Sequence, residues 1–458
     1  MAIVDINSTR YYTRPDAAVQ VELVQALSDP IRTIGEQRRS DNRKVNRYVF
    51  DQWVKYGLGI SRMRREKGLG LSGLRDATCM TCWPSQTTLP LLAQDATDPS
   101  TLAVSRLALE FVGNLLLFGE NEVGNPLIEE GYVARWTGSG TTWANNETTI
   151  NAATLVDSCA LQDAIVVQNR IVVLIAEATN HKVRYSGAGD YTAWSTPAVN
   201  VTAGLLTNNV TAHENTPFGV LIVDGATVFA ALWSEAAGTI AMFKSTDAGV
   251  NWSAVGTNFA SGYGPTGRAN WYDLNGDPAP VVGTAEGVWA WDVRAAAWQK
   301  LYDLSYDVNN CRGMTAARGK LYVPLGDGGM LEMTMVEAGV IVAREMGPNR
   351  WDGLVTARQG YVTCKQMAVS SRFMDVAYGG QASGKNASIL RYDFENDSWS
   401  SMHLYGTANS IIPWLLHSTL DDSTARLHFT YRTGTNTTDE MYQANPLSNP
   451  VQGGTFYY

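Results

Sequence analysis

A chain of 458 residues with 42 Gly, 14 Trp and 20 Tyr beside only 17% charged residues has the turn-dense, aromatic-stitched profile of a β protein rather than a helical one. No apolar run approaches the roughly 18 to 20 residues that span a bilayer. The opening MAIVDINSTRYYTR carries no apolar leader core, so the expectation is a soluble protein made in a reducing cytoplasm, with no membrane partner. The net charge of −9 hides an asymmetry: residues 31 to 68 hold eleven Lys/Arg against four Asp/Glu, which is +7 and leaves −16 for the rest. Such a split suits a basic segment that docks on an acidic neighbour or touches nucleic acid.

In chain order, Val19, Leu23 and Leu27 stand at i, i+4, i+8 before Asp29-Pro30, and the spacing predicts a short amphipathic helix over 16 to 28. From Glu36 to Tyr56 the stripe Val45, Val49, Trp53 repeats that spacing among Arg38, Arg39, Arg43, Lys44 and Arg47, with Gly57 placed to end a second, basic helix. Residues 1 to 75 are thus expected to form a helical docking arm. Its assembly interface is Arg38, Arg39, Arg43, Arg47, Val49, Trp53 and Tyr56, which combine steering charge with aromatic and apolar anchors.

Gly68, Gly70 and Gly73 break the helical pattern, and residues 76 to 458 read as short strands and turns. Several segments end alike, in an apolar strand, a polar turn and a tryptophan: RWTGSGTTW at Trp143, YSGAGDYTAW at Trp194, KSTDAGVNW at Trp252, VWAWDVRAAAW at Trp298 and LRYDFENDSW at Trp399. The intervals are 51, 58, 46 and 101 residues; the last is two periods, with Trp351 near its middle, and one more period reaches the C-terminus. Strands such as IVVQNRIVVLIAE from Ile165, FGVLIVDGATVFAALW from Phe218 and GKLYVPLG from Gly319 lie between them. A repeat of about 50 residues, each a small sheet that needs a neighbour on both faces, predicts an all-β fold with a six- or seven-bladed β-propeller after the helical arm.

Ser245, Thr246, Asp247, Ala248, Gly249, Val250, Asn251, Trp252 resembles the Asp-box turn of sialidase-type and related propellers. In it Asp247 bonds backbone N–H groups, Gly249 takes positive φ and Trp252 packs between sheets, so the motif speaks for architecture and not for chemistry. Gly379-Gly380 after an apolar strand, then Tyr392-Asp393 and Trp399, resembles a kelch blade, and Trp289, Asp292 and Trp298 repeat its ending without the Gly-Gly pair. Ser245, Asp247, Gly249, Trp252, Gly379, Gly380, Tyr392 and Trp399 are the structural repeat residues.

Chemistry-bearing motifs are sparse. Asp273-Leu274-Asn275-Gly276-Asp277 resembles the calcium loop of integrin-like propellers, but Val281 and Val282 stand where later acidic ligands belong and Asn275-Gly276 is a hairpin signal, so a structural turn is expected. Cys79-Met80-Thr81-Cys82 has no second ligand pair, and Cys159, Cys311 and Cys364 complete an odd set that argues against a disulfide framework. His181, His213, His403, His417 and His428 stand at no ligand spacing. A sialidase-like enzyme needs arginines from separate blades, for which Arg135, Arg184, Arg268 and Arg318 are candidates, but Arg170-Ile171-Val172 replaces that family's Arg-Ile-Pro start. No cofactor, metal or catalytic residue is assigned.

A basic arm of about 75 residues followed by a large, weakly charged propeller is similar to the propeller-bearing tail nozzle or hub proteins of tailed bacteriophages. The resemblance implies a non-enzymatic virion protein, made in the host cytoplasm, that forms a homo-oligomeric ring beside portal, adaptor or tail components. DNA would pass without specific binding. The alternative is a sialidase-like or other carbohydrate-active or carbohydrate-binding propeller.

Overall fold

The computed structural model describes residues 2–6, 9–16, 20–27, 44–50, 60–61, 104–123, 128–136, 144–149, 159–177, 180–198, 201, 218–326, 329–346, 362–379, 388–394, 398–403, 411–418, 426–431 and 440–444. Among them there are strands, turns and bends but no helix. From Val104 onward they form seven antiparallel sheets in chain order, six of four strands and one of three. Within each, the strands that follow one another in sequence pair with one another.

The second sheet shows why these sequences fold this way. Cys159–Val167 and Arg170–Glu177 are joined by Gln168 and Asn169, both at positive φ (45° and 58°), the two-residue turn whose twist matches that of the strands it joins. Ile171 to Ala176 are all fully buried, so both faces of this strand are covered. A sheet that buries both faces needs a neighbour on each side. The sheets supply it by packing their first strands in succession: Val104–Phe111 against Cys159–Val167, then Gly219–Asp224, Gly267–Tyr272 and Thr315–Ala317. Leu415–Ser418, first strand of the last sheet, packs on Ala368–Val369 of the sixth and on Val104–Phe111 of the first. The sheets therefore close on themselves around their first strands, and the fold is an all-β propeller.

Tryptophans open the fourth strands and reach back to the preceding sheet. Trp194 begins the fourth strand of the second sheet and meets Phe118 of the first edge to face at 6.3 Å. Trp252 directly precedes Ser253–Ala260 and is buried in a core with Ile165, Val172 and Val183 of the second sheet. Trp298, in Ala297–Asp303, meets Phe259 of the third sheet at 4.9 Å. The fit is close enough that a Cβ on Gly256 would lie 2.2 Å from Trp291 of the next sheet, so only glycine serves there. Val340–Glu345, the fourth strand of the fifth sheet, contains no tryptophan, and Trp143 and Trp351 lie outside the described residues.

The helices expected over 16 to 28 and 36 to 56 are not found where those stretches are described. Gln20–Leu27 and Lys44–Phe50 are strands of a four-stranded sheet with Ala2–Ile6 and Thr9–Asp16. A repeat of four residues is even, so Val19, Leu23, Leu27 and Val45, Val49, Trp53 satisfy a two-residue period as well as they approximate 3.6. The β-branched and aromatic run Val45, Tyr48, Val49, Phe50 then favours the strand. Further on, Ile60–Ser61 pairs with Trp399 and Ser398 and adds a fifth strand to the sixth sheet, so part of the segment 1 to 75 is joined to the propeller.

Candidate functional site

Two polar clasps stand out where an apolar strand carries a charge. In Cys159–Val167 the pairing with Arg170–Glu177 shifts between Leu161 and Asp163, a bulge at Gln162 that re-aims both polar side chains towards the third sheet. Gln162 Oε1 accepts the Phe218 N–H at 2.9 Å, and Asp163 Oδ2 accepts the Leu221 N–H at 2.8 Å. Asp163 Oδ1 accepts the Ala164 N–H and the Nη2 of Arg268, both at 2.9 Å, while Arg268 Nη1 donates to Leu221 O at 2.6 Å. Residues of the second and fourth sheets thus clamp the first strand of the third. Burial outweighs the Arg268 charge and these N–H groups, so the Asp163 carboxyl sits above its usual range.

The second clasp joins the sixth and seventh sheets. Asp375 and Arg391 stand opposite one another on paired strands and meet through two hydrogen bonds of 2.6 Å, the forked geometry that makes arginine–carboxylate pairs strong. His417 of the seventh sheet brings its Nε2 within 2.8 Å of Asp375 Oδ2; a carboxylate only accepts, so that nitrogen carries the proton. Burial pushes the Asp375 carboxyl up, but the Arg391 charge and the His417 and Arg391 hydrogen bonds win and hold it at about 2.

The repeat residues serve the turns. Ser245 Oγ donates to Asp247 Oδ1 at 2.7 Å and accepts the Gly249 N–H at 2.9 Å; Asp247 accepts the Asn251 N–H at 2.9 Å, and Trp252 Nε1 donates to Gly249 O at 2.9 Å. Gly249 has φ +88°, and a Cβ there would strike Val172 of the preceding sheet at 2.7 Å. Partial burial is outweighed by these bonds, which keep the Asp247 carboxyl below its ordinary value. Tyr392 is buried on Ser388–Asp393 and pairs with Trp399; Gly379 follows Phe373–Tyr378, and Gly380 lies outside the described residues.

Asp273 Oδ1 accepts the N–H groups of Asn275 and Asp277 at 2.8 and 3.0 Å, and Arg294 holds Asp277 at 2.9 Å, so the loop resembling a calcium site is a turn tied by its own hydrogen bonds. Among the described residues no cluster of His, Cys, Asp and Glu fit to hold a metal occurs. Burial pushes the Cys364 thiol up to about 12 and raises Cys311 as well, which keeps both protonated and poor nucleophiles.

The four arginines weighed as carboxylate grips are held in different places. Arg135 and Arg184 are on third strands, the latter donating to Thr196 Oγ1 at 2.5 Å; Arg318 lies in a turn and donates to Ser371 O; Arg268 is in the Asp163 clasp. Arg47 and Val49 fall on Lys44–Phe50, opposite Val24 and Glu22, whereas Arg38, Arg39, Arg43, Trp53 and Tyr56 lie outside the described residues. Asp163, Asp375 and Arg391 belong to no motif of the sequence, and His417 stands there only as a histidine at no ligand spacing. Their signal was a charge inside an otherwise apolar strand, as in ALQDAIVV and FMDVAY.

No protein-family model matches the sequence, and no curated protein matches it. Among solved structures the chain is similar to YCF48 from Cyanidioschyzon merolae, with 11% identity and a TM-score of 0.47 over 77% of this chain and 97% of that one. It is also similar to Sqt1 of Saccharomyces cerevisiae, with 9% identity and a TM-score of 0.45 over 76% and 86%. A third is the GH93 α-L-arabinofuranosidase of Fusarium graminearum, with 12% identity and a TM-score of 0.42 over 76% and 94%. Likenesses of this size carry no activity from those proteins to this one.

Proposed function

We propose that the chain is a non-enzymatic structural protein, a seven-bladed propeller that assembles through its basic N-terminal segment, as in the tail nozzle or hub of a bacteriophage virion. The observation that carries the reading is the use made of the charged groups between the sheets. Asp163, Arg268, Asp375, Arg391 and His417 are engaged with one another and with backbone groups of neighbouring sheets, an arrangement that holds a ring together. The charge split supports it too: an acidic body repels DNA, and the +7 of residues 31 to 68 steers that segment onto an acidic neighbour.

Mass photometry of the purified protein, alone and with candidate virion partners, tests it. Assemblies are expected, and a folded Val49→Asp, Trp53→Ala double variant should lose them. Unchanged association in that variant would remove the N-terminal segment from the assembly. Turnover of a fluorogenic sialoside or arabinoside by the wild type would replace the structural reading with the carbohydrate-active one.

A further inference from the structure

Two tyrosines stand open to solvent, Tyr263 at 38% and Tyr306 at 52%. They come from consecutive connections between sheets, Tyr263 entering the fourth and Tyr306 entering the fifth, and their rings meet at 5.2 Å with a tilt of 44°. Both connections are firmly held. Ser261 Oγ donates to Tyr263 O at 2.6 Å, and the Ser261 N–H is tied to Gly238 O at 2.9 Å. Beside Tyr306, the Asp307 N–H donates to Ala285 O at 3.1 Å and Asn310 Nδ2 donates to Ser305 O at 2.7 Å. A rigid aromatic pair loses little entropy on meeting a partner.

The surroundings select the partner's charge. The hydrogen bond with Tyr263, with the Glu286 and Asp307 carboxylates nearby, pushes the Tyr306 hydroxyl up to about 12, so that hydroxyl stays neutral in a negative field. Aromatic faces and carboxylates together attract a cation and offer a sugar acceptors with few donors. The chain already uses this chemistry internally: Arg391 lies over Phe373 at 4.5 Å, Arg318 over Phe394 at 5.1 Å and Lys300 over Trp289 at 5.2 Å. We infer that Tyr263 and Tyr306, with Glu286 and Asp307, form the surface of one copy that receives the arginines of a second copy's N-terminal segment, Arg38 and Arg39 foremost. The inference rests on the proposed assembly through that segment and names its acceptor. The charges match, +7 in residues 31 to 68 against −16 elsewhere.

The test uses the full-length chain and a synthetic peptide of its residues 31 to 50. Fluorescence anisotropy should show saturable binding of the peptide to the wild type, weakened at least about tenfold by Tyr263→Ala, Tyr306→Ala and again by molar salt. In mass photometry that double variant should fall to monomer, as should Arg38→Glu, Arg39→Glu. Introducing Glu286→Arg into the latter should restore assembly, which guards against variants that merely misfold. If the tyrosine variant assembles like wild type while the arginine variant does not, the acceptor is overturned and assembly through the segment stands. If both assemble unchanged, both readings fall. A peptide that does not bind, or that binds equally to the tyrosine variant, overturns the acceptor alone.

Discussion

Asp163 and Asp375 are both buried and both meet an arginine, yet the two clasps answer burial in opposite ways. At Asp375 the partner is itself enclosed: the Arg391 side chain is 5% exposed, both its bonds are 2.6 Å long, and His417 closes the remaining side. At Asp163 the Arg268 side chain is 31% exposed and divides its donors between the carboxylate and the Leu221 carbonyl. The enclosed fork holds its carboxyl down to about 2, whereas the open one leaves burial in command and the carboxyl raised. A buried charge is therefore not one device with one strength. Between the sixth and seventh sheets it is a lock that needs its charges, and across the second to fourth it is a brace that also grips backbone groups.

The sharpest break of this comparison is Asp375→Ala. It strands Arg391 without its fork in a buried setting, and a loss of about 3 to 5 kcal/mol in urea unfolding is expected. Asp163→Ala should cost less, about 1 to 3 kcal/mol, because the Leu221 N–H is orphaned while Arg268 turns to water. Equal losses at the two sites would mean that the exposure of the arginine does not set the difference. Trp252→Ala gives a scale for both: its buried ring joins the second and third sheets, and about 3 to 5 kcal/mol is expected from the lost burial and the cavity together.

Acid should separate the clasps by sign. The Asp375 carboxyl is depressed from 3.8 to about 2 in the fold, so its contribution is complete above 3.8 and is lost as pH falls through 2. The Asp163 carboxyl is raised, so its contribution is complete below 3.8 and is lost as pH rises through its folded value. The stability advantage of wild type over Asp375→Asn should accordingly shrink as pH falls from 3.8 towards 2. Relative to Asp163→Asn, wild type should gain as pH falls towards 3.8. Parallel curves for the two variants, measured by urea unfolding across that range, would show that the carboxyls do not differ.

How far these features could be read in the sequence follows from their physical period. The tryptophans were visible because Trp194 and Trp298 lie on fourth strands and Trp252 just before one, and an inter-sheet anchor recurs with the sheet. The doubled interval before Trp399 has its counterpart in Val340–Glu345, a fourth strand with no tryptophan. The Asp-box was legible because its bonds join residues at most four apart. The clasps were not, since Asp163 and Arg268 are 105 residues apart and Asp375 and His417 42, and no local pattern couples them. The four-residue stripes of the N-terminal segment misled for a different reason, because an even spacing does not separate strand from helix. Tyr263 and Tyr306 belong to no periodic element and became a pair only when the sheets were placed side by side.

The finest probe of the comparison is arginine to lysine, with the smallest effect expected at Arg268. Lysine keeps the charge but loses the planar fork, so the substitution measures geometry with the Coulomb attraction retained. At Arg391 the fork spans both Asp375 oxygens in a closed space, and an ammonium reaches only one of them: on Oδ1 it leaves Oδ2 to His417 alone, and on Oδ2 it leaves Oδ1 without a donor. At Arg268 the carboxylate keeps the Leu221 and Ala164 N–H groups whatever happens to the arginine, and water reaches the side chain. Arg391→Lys should therefore cost about 1 to 3 kcal/mol and Arg268→Lys about 0.5 to 1.5 kcal/mol. Should Arg268→Lys prove the costlier in paired urea titrations, its guanidinium would be the principal tie across the second to fourth sheets, and the backbone bonds to Asp163 would be secondary.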